Sequence, residues 1–506
     1  MRAAAGSARQ AIEKKTVIAP RLEHEEASEG SCTMNTPTML KFYDEVGPSS
    51  RYWASFATLC AGWSLDFFDF YIVGFLVASL APGWQLTYLE SSIMLLSGGL
   101  GSIFGALLFG ALGDKIGRKP VLIAATVTCA LGAGALAFVP DGSWPIFSVL
   151  RVVVGAGLGG IGALQLVMIV EITPTPMRMK LLGWPIMLPS IGTLLAALTS
   201  ASLMHVLGWR GVAAFGLLPL LLCVPFALLM PESPRWLLAR GRSDAARRSI
   251  ATLAGRNLSD VPVDADVIVR QPSASLAELY RRPGRFWFTF FIWLTISTAG
   301  YGVYLWGPTI TSMLLKIDVA AAARYFVWIS LAGLLGRAMF SYLPARIGRV
   351  WSGRILGFGI AVFLGCAALF HDAFVQGVPV FVLALAAGAI FYDGGFCTLS
   401  PYMAEIFPTR LAARGSGFAQ GANGLGKILG PLCLALIAGS NNLISAKATE
   451  AAILPAFLLL AGCGLVLGFC FFFAPETKDA ALSLDDDNTA PAAPNSSLYG
   501  SKAAAL

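Results

Sequence analysis

Two carboxylates, Asp66 and Asp69, stand three residues apart in GWSLDFFDFYIVGFLV (62–77), a stretch otherwise fit for hydrocarbon. On a helix that spacing puts both on one face. A charge near the middle of a bilayer costs at least ~2.5 kcal/mol on insertion scales, so an acid there faces a partner or a wetted cavity. Apolar surroundings and a neighbouring like charge both favour the neutral form of a carboxyl group. The chemistry such a pair offers is the loading and release of a proton. Two acids this close titrate as a unit, so the spacing does not assign the proton to either one.

Other polar and ionisable residues interrupt apolar runs. Arg151 opens RVVVGAGLGG, and Gln165 lies further along the same run. Arg337, Asp393 and Lys427 lie inside runs of the second half of the chain. Two cations there, opposite two acids in the first half, suggest an anionic substrate held by Lys427 or Arg337. The competing arrangement pairs Asp393 with one of those cations as a bridge between helices. Trp63, Phe67, Phe70, Tyr301, Tyr304, Trp306 and Tyr392 fall in the same runs and could stack on a ring. Ordinary packing accounts for membrane aromatics equally well. Gln165, Tyr301 and Tyr392 are candidate substrate contacts.

The elements that must carry these residues are long and apolar. Of 506 residues, 56% are hydrophobic and 13% charged, and mean hydropathy is +0.70. A bilayer core takes roughly 20 residues of helix, and twelve runs of that kind occur. They lie near 53–77, 90–112, 120–139, 145–170, 181–206 and 211–230, then 286–314, 323–344, 354–370, 375–401, 412–439 and 451–473. The expected fold is an all-α membrane protein with 12 transmembrane helices in two parallel six-helix halves. Its parts are an N-terminal tail (1–50), a first bundle (51–230), a linker (231–285), a second bundle (286–473) and an acidic, then Ala/Pro/Ser-rich tail (474–506). The tail 1–50 lacks the apolar core of a signal peptide and contains Met34, a second possible start.

Lys and Arg fill alternate loops: Lys115, Arg118 and Lys119; Arg178 and Lys180; Arg346 and Arg349; Arg410 and Arg414. The linker adds ten arginines, whereas loops 78–89, 140–144 and 371–374 carry neither residue. By the positive-inside rule both termini and the linker face the cytoplasm of a cell membrane. Eight of the nine cysteines fall within apolar runs, no CxxC occurs and the three histidines are scattered. That argues against a disulfide framework or a metal site. The chain shows no nucleophile triad and no P-loop, so neither an enzyme nor an ATP-driven pump is expected, and no nucleic-acid partner.

The halves repeat. GDKIGRK (113–119) is echoed by ARIGRV (345–350), EITPTPMR (171–178) by EIFPTR (405–410), and PES (231–233) by PET (475–477). Parallel repeats of this kind place a substrate site between the halves near mid-membrane. At these motifs the chain resembles the major facilitator superfamily over about residues 50–478. PESPRWLLARGR (231–242) and PETK (475–478) look like its sugar-porter and organic-ion branches. The Asp66–Asp69 pair and EIFPTRLAARGSGFAQGANGLGKILGP most resemble bacterial metabolite:proton symporters, including aromatic-acid and sialate- or lactate-type carboxylate permeases.

That resemblance implies alternating access. Asp114 and Arg118 would latch the halves, with Glu171 and Arg178, and Glu405 and Arg410, as matching elements. Ala345 replaces the second-half equivalent of Asp114, so the latch should lean on the first half. Asp69 aligns with the first-helix aspartate that sugar:proton symporters pair with a fourth-helix arginine, here Arg151. Protonating Asp69 would release that arginine; the alternative is a permanent ion pair anchoring two helices. The implied function is proton-coupled symport of a small organic acid, aromatic or otherwise, by a monomer with no cofactor beyond the coupling proton. The alternatives are a sugar or polyol:proton symporter and a transporter-like solute sensor.

Overall fold

The computed structural model describes residues 38–181, 183–264, 276–407 and 409–478. Long apolar helices make up nearly all of it. Span 1 is Ser50–Gly83, span 2 Tyr88–Ile116, span 3 Arg118–Leu136 and span 4 Trp144–Ile172. A helix at Gly183–Ala214 follows, with Leu220–Leu228 beyond it. Together these form one apolar stretch of 46 residues, about 69 Å of helix and more than twice a hydrocarbon core. The chain must therefore fold back. It does so at Gly208, whose φ of 64° lies in the left-handed region that glycine enters without steric cost. Span 5 thus covers 183–207 and span 6 covers 209–228. The return is visible in contacts at both ends. Arg210 bonds Asp141 in the span 3–4 loop at 2.9 Å, while Arg51, at the start of span 1, donates to the Leu228 carbonyl at 2.9 Å. The second half comprises span 7 (Pro283–Leu315), span 8 (Val319–Ile347), span 9 (Arg349–Leu369), span 10 (Val380–Ile406), span 11 (Thr409–Ala438) and span 12 (Ala446–Cys470). Twelve crossings result, as the hydropathy pattern predicts.

Small residues let the helices touch. Gly98 on span 2 meets Gly155 on span 4, and Gly430 on span 11 meets Gly302 on span 7, each so closely that a Cβ would strike the partner's backbone. That is the use the glycine-rich runs of spans 4 and 11 are put to. Between the halves, spans 2 and 11, 5 and 8, and 1 and 7 face each other.

The two ends of the bundle differ. At the end away from the arginine-rich loops, Tyr88 N donates to Asn442 O (3.0 Å), Leu89 N to Ser440 O (3.1 Å) and Ile444 N to Leu86 O (3.1 Å). Thr87 and Leu443 form an antiparallel bridge there, and Tyr88 Oη lies 2.7 Å from Thr449 Oγ1. This backbone strap joins first half to second and closes that end. Toward the basic end no such backbone strap occurs among the described residues; the bonds that cross between the halves on that side are those of Ser190 and Ile186 on span 5 with Asp393 and Arg337.

Part of what the sequence suggests is a tail or a linker is folded. Met39–Val46, inside the expected tail, is a helix; its Tyr43 hydroxyl donates to Ile172 O at 2.9 Å. Linker residues form helices at Pro234–Ala239, Ser243–Ala254 and Leu276–Tyr280. Met34, residues 265–275 and the tail beyond 478 lie outside the described residues.

Candidate functional site

The face of span 1 that carries Asp69 packs against spans 3 and 4 inside the first half. Asp69 is fully buried. Its Oδ2 receives only the Cys129 thiol, at 3.6 Å, and its Oδ1 has no partner among the described residues. Arg151, 1% exposed, is the expected neighbour, and the fold brings the two together. Its Nη1, however, donates to the backbone carbonyl of Asp69 at 3.1 Å and not to the carboxylate. Gly98 leaves the room the guanidinium occupies, and Arg151 Nε and Nη2 have no partner among the described residues. Asp66, one turn nearer the basic end, is buried and makes no hydrogen bond among the described residues. Gln165, a candidate substrate contact by sequence, sits elsewhere. It is fully buried between spans 1, 4 and 6, with its amide nitrogen against Gly62 and Phe226 nearby. Neither polar atom of its amide has a partner among the described residues.

In the second half, Arg337 and Asp393 form a buried ion pair, with Arg337 Nε 2.9 Å from Asp393 Oδ1 and Nη2 donating to the same oxygen. Gly333 makes space for it. Span 5 completes the cluster from the other half: Ser190 Oγ donates to Asp393 Oδ2, and Arg337 Nη1 donates to the Ile186 carbonyl. Tyr304 Oη adds a bond to Asp393 Oδ2 at 3.4 Å. This is the bridging arrangement of the two read from the sequence. With its guanidinium committed, Arg337 is not placed to receive an anion. Tyr392, fully buried, points its hydroxyl to Leu385 O at 3.3 Å and packs edge-on to Tyr304.

Lys427 is different. It lies on span 11 with its Cβ against Gly99 of span 2, is partly exposed, and forms no hydrogen bond or ion pair among the described residues. Its Nζ stands 5.0 Å from the Phe70 ring centre and 5.3 Å from that of Tyr301. Phe70 and Tyr301 are themselves edge to face at 5.2 Å. One turn away on span 11, Asn423 accepts from Ser297 Oγ of span 7 at 2.7 Å and donates to Gln420 at 3.0 Å. A cation without a counter-ion, two aromatic faces and an amide pair thus converge between the halves. Such an arrangement can hold a flat anion, with the ammonium on its charge and the rings on its plane.

The basic-end motifs form two related clusters. Arg118 bonds Asp114 and lies 3.5 Å from Glu171. Glu171 therefore faces Arg118 and not Arg178, which folds back on its own turn to donate to Thr173 O at 3.1 Å. In the second half Glu405 is gripped by Arg349 at 2.6 and 3.1 Å and by Thr477 at 2.6 Å. Arg410 has no described side chain. Ala345 therefore does not leave its loop without an acid, since Glu405 supplies one; each of these clusters bonds within its own half, so the expected bond of Asp114 and Arg118 across the halves is not present among the described residues. The next contacts are not legible in any local pattern. Glu232 accepts from the backbone N–H of Arg118 and Lys119 at the start of span 3, and Glu476 from those of Arg349 and Val350 at the start of span 9. Each carboxylate lies at a helix N-terminus, where the dipole favours it. Gly117 (φ 133°) and Gly348 (φ 92°) leave the space, since a Cβ at either would meet that glutamate. Burial at Glu476 pushes its carboxyl up, but the backbone donors outweigh it and hold the group below the usual range. Deeper burial at Glu232 outweighs its donors and holds that carboxyl above.

Comparison with known proteins gives a consistent result. The profile of the family described as "Sugar (and other) transporter" matches residues 38–486. The chain is 29% identical over 382 residues to the niacin transporter NiaP of Acinetobacter baylyi, covering 73% of this chain and 84% of that one. It is 28% identical over 414 residues to a gallate transporter of Pseudomonas putida, covering 79% and 88%. Among solved structures it is similar to a D-xylose–proton symporter (TM-score 0.67, 19% identity, 85% and 99% covered). It is also similar to the partially occluded, inward-open xylose transporter XylE from E. coli (TM-score 0.65, 20% identity, 86% and 100% covered).

Proposed function

The chain belongs to the sugar (and other) transporter family of the major facilitator superfamily, and on that premise we propose that it carries a small aromatic carboxylate across the cell membrane together with protons. It is a multi-pass membrane transporter, not an enzyme. The observation that carries the substrate class is Lys427: a cation between the halves, without an anionic partner among the described residues, beside the rings of Phe70 and Tyr301. A part-buried charge without a counter-ion is disfavoured, and a benzoate-type anion would offset that cost. Niacin and gallate, named for two relatives, are both aromatic carboxylic acids.

Coupling rests on the first half. A protonated Asp69 needs no counter-ion, and Arg151 then turns to the Asp69 carbonyl, the contact seen here. On loss of the proton the carboxylate draws the guanidinium over, which changes how spans 1 and 4 pack and favours the other conformation. The lysine- and arginine-rich end is the cytoplasmic one by loop charge. In that orientation the strap at 86–89 and 440–444 shuts the outer side. The working unit is a monomer, each half serving as the other's partner.

Uptake into proteoliposomes tests this. An inward proton gradient should accumulate benzoate or nicotinate, and Asp69→Asn should abolish accumulation while leaving exchange of labelled for unlabelled acid. Accumulation that survives collapse of the gradient, or that persists in Asp69→Asn, defeats the coupling. Accumulation of a neutral pentose in place of the acids makes the protein a sugar symporter.

A further inference from the structure

We propose that the proton leaves Asp69 toward the cytoplasmic end by its own route through the first half, by way of Asp66 and Gln165, separate from the substrate passage at Lys427; the inference rests on the coupled transport proposed above. On span 1, positions 62, 66 and 69 share one face, spaced four and three residues apart. Going down that face, Asp66 lies about 4.5 Å below Asp69 and Gly62 about 6 Å below Asp66 along the axis. At Gly62 the missing side chain is replaced by the amide of Gln165 from span 4. Asp69, Asp66 and Gln165 therefore stand on successive turns of one seam between spans 1 and 4.

All three have hydrogen-bonding capacity that the protein does not fill. Asp69 Oδ1 and both Gln165 amide atoms are buried without a partner among the described residues, and Asp66 makes no hydrogen bond among them. One such buried atom costs about 1–3 kcal/mol, so a run of them in one seam calls for bound water, which is how proteins satisfy groups of this kind. The spacings admit one water between neighbours. Phe70, which meets Lys427 and Tyr301, stands about 100° round the helix from Asp69 and about 80° from Gly62 but one turn from Asp66. Asp69 and Gln165 thus lie off the substrate wall, and Asp66 alone borders it.

The transfer balances simply. Asp69 gives its proton to a water and becomes a carboxylate; that water protonates Asp66. Asp66 in turn gives a proton to the water held by the Gln165 amide, from which it passes to the cytoplasmic end. Three groups face Asp69 from the elements packed on it: Asp66 on its own helix, Cys129 on span 3 and Arg151 on span 4. Gln165 is a positioning residue: it holds the water and bears no proton itself.

The test separates movement of protons from movement of substrate. Gln165→Leu, Gln165→Glu, Asp66→Asn and the Asp66→Asn/Gln165→Leu double variant are compared with the wild type in proteoliposomes. Proton-driven benzoate uptake and benzoate self-exchange at equal pH are read side by side. Gln165→Leu removes a buried amide with no partner and is expected to fold. It should slow proton-driven uptake about tenfold or more and leave exchange within about twofold. Gln165→Glu should restore uptake. The double variant should be no slower than the slower single variant, because groups in series do not add. Equal loss of uptake and exchange would make Gln165 a substrate contact and overturn the route. Unchanged uptake in Gln165→Leu, or multiplied defects in the double variant, would overturn it as well. A wild type that fails to accumulate benzoate on a proton gradient strikes the coupled reading itself, a different outcome from any of these.

Discussion

Replacing Lys427 with methionine keeps the length of the side chain and deletes its charge. In the substrate-free protein that charge has no anionic partner among the described residues, only the Phe70 and Tyr301 rings at 5.0 and 5.3 Å. A cation–π contact there is worth ~1–2 kcal/mol, and desolvation of the ammonium opposes it. Lys427→Met should therefore unfold no more readily than the wild type. Binding is another matter. A carboxylate at about 4 Å gains ~4 kcal/mol of Coulomb energy at an effective dielectric of 20, and desolvating the anion takes back part of it. A charge-assisted hydrogen bond nets ~1.5–3 kcal/mol, so the substitution should weaken benzoate binding by roughly 10- to 150-fold. Competition of labelled benzoate by unlabelled acids on purified protein gives the affinity, and thermal unfolding in detergent gives the stability. Benzamide, which has the ring but no charge, should bind wild type and variant alike. If Lys427→Met binds benzoate as tightly as the wild type, or if benzamide matches benzoate on the wild type, the ammonium does not hold the anion.

Three further outcomes follow from the geometry. Arg337→Ala leaves Asp393 buried and unpaired and should cost ~3–5 kcal/mol, seen as lower yield and earlier unfolding; pairing it with Asp393→Asn should recover much of the loss, and failure to recover would show that the pair does more than brace the fold. Gly117→Ala forces a Cβ onto the Glu232 carboxylate at a φ of 133° and should cost ~1–3 kcal/mol in the same melt, whereas Gly110→Ala, with open space around it, should cost far less. Thr87→Cys with Leu443→Cys places two thiols across an antiparallel bridge, within disulfide reach; oxidation should stop transport and reduction should restore it, and transport through the oxidised form would mean that end need not open.

How far the sequence could be read depends on the question. Run length and hydropathy located the crossings, including the fold-back at Gly208, because a bilayer imposes one length scale on every helix. The depth of an ionisable residue was readable for the same reason: Asp69, Arg151, Arg337, Asp393 and Lys427 all proved buried or part-buried. The direction each one faces was not, because azimuth is set by the neighbours against which a helix packs. Glu171 therefore meets Arg118 where the family resemblance implied Arg178, and Glu405 meets Arg349, the side chain of Arg410 lying outside the described residues. Gln165 turns into the seam beside Gly62 and not toward the rings around Lys427. Arg337 and Lys427 looked equivalent as inward-facing cations until Asp393 was found to occupy the first alone. The PES and PET motifs were visible, but their glutamates act on amides more than a hundred residues earlier in the chain, a link that no local pattern encodes. The strap at 86–89 and 440–444 gave no signal because its bonds are between backbone groups, which every residue type carries.

That strap bears on where the proposed cycle rests. Three backbone bonds and one hydroxyl pair, at ~1 kcal/mol each, favour closure of that end by about three powers of ten. In the orientation proposed above, an idle transporter would wait with its back to the medium, and each turnover would begin with the unbuttoning of that seam. Loosening it, with proline at Leu89 for instance, would raise the fraction of molecules ready for a solute arriving from outside.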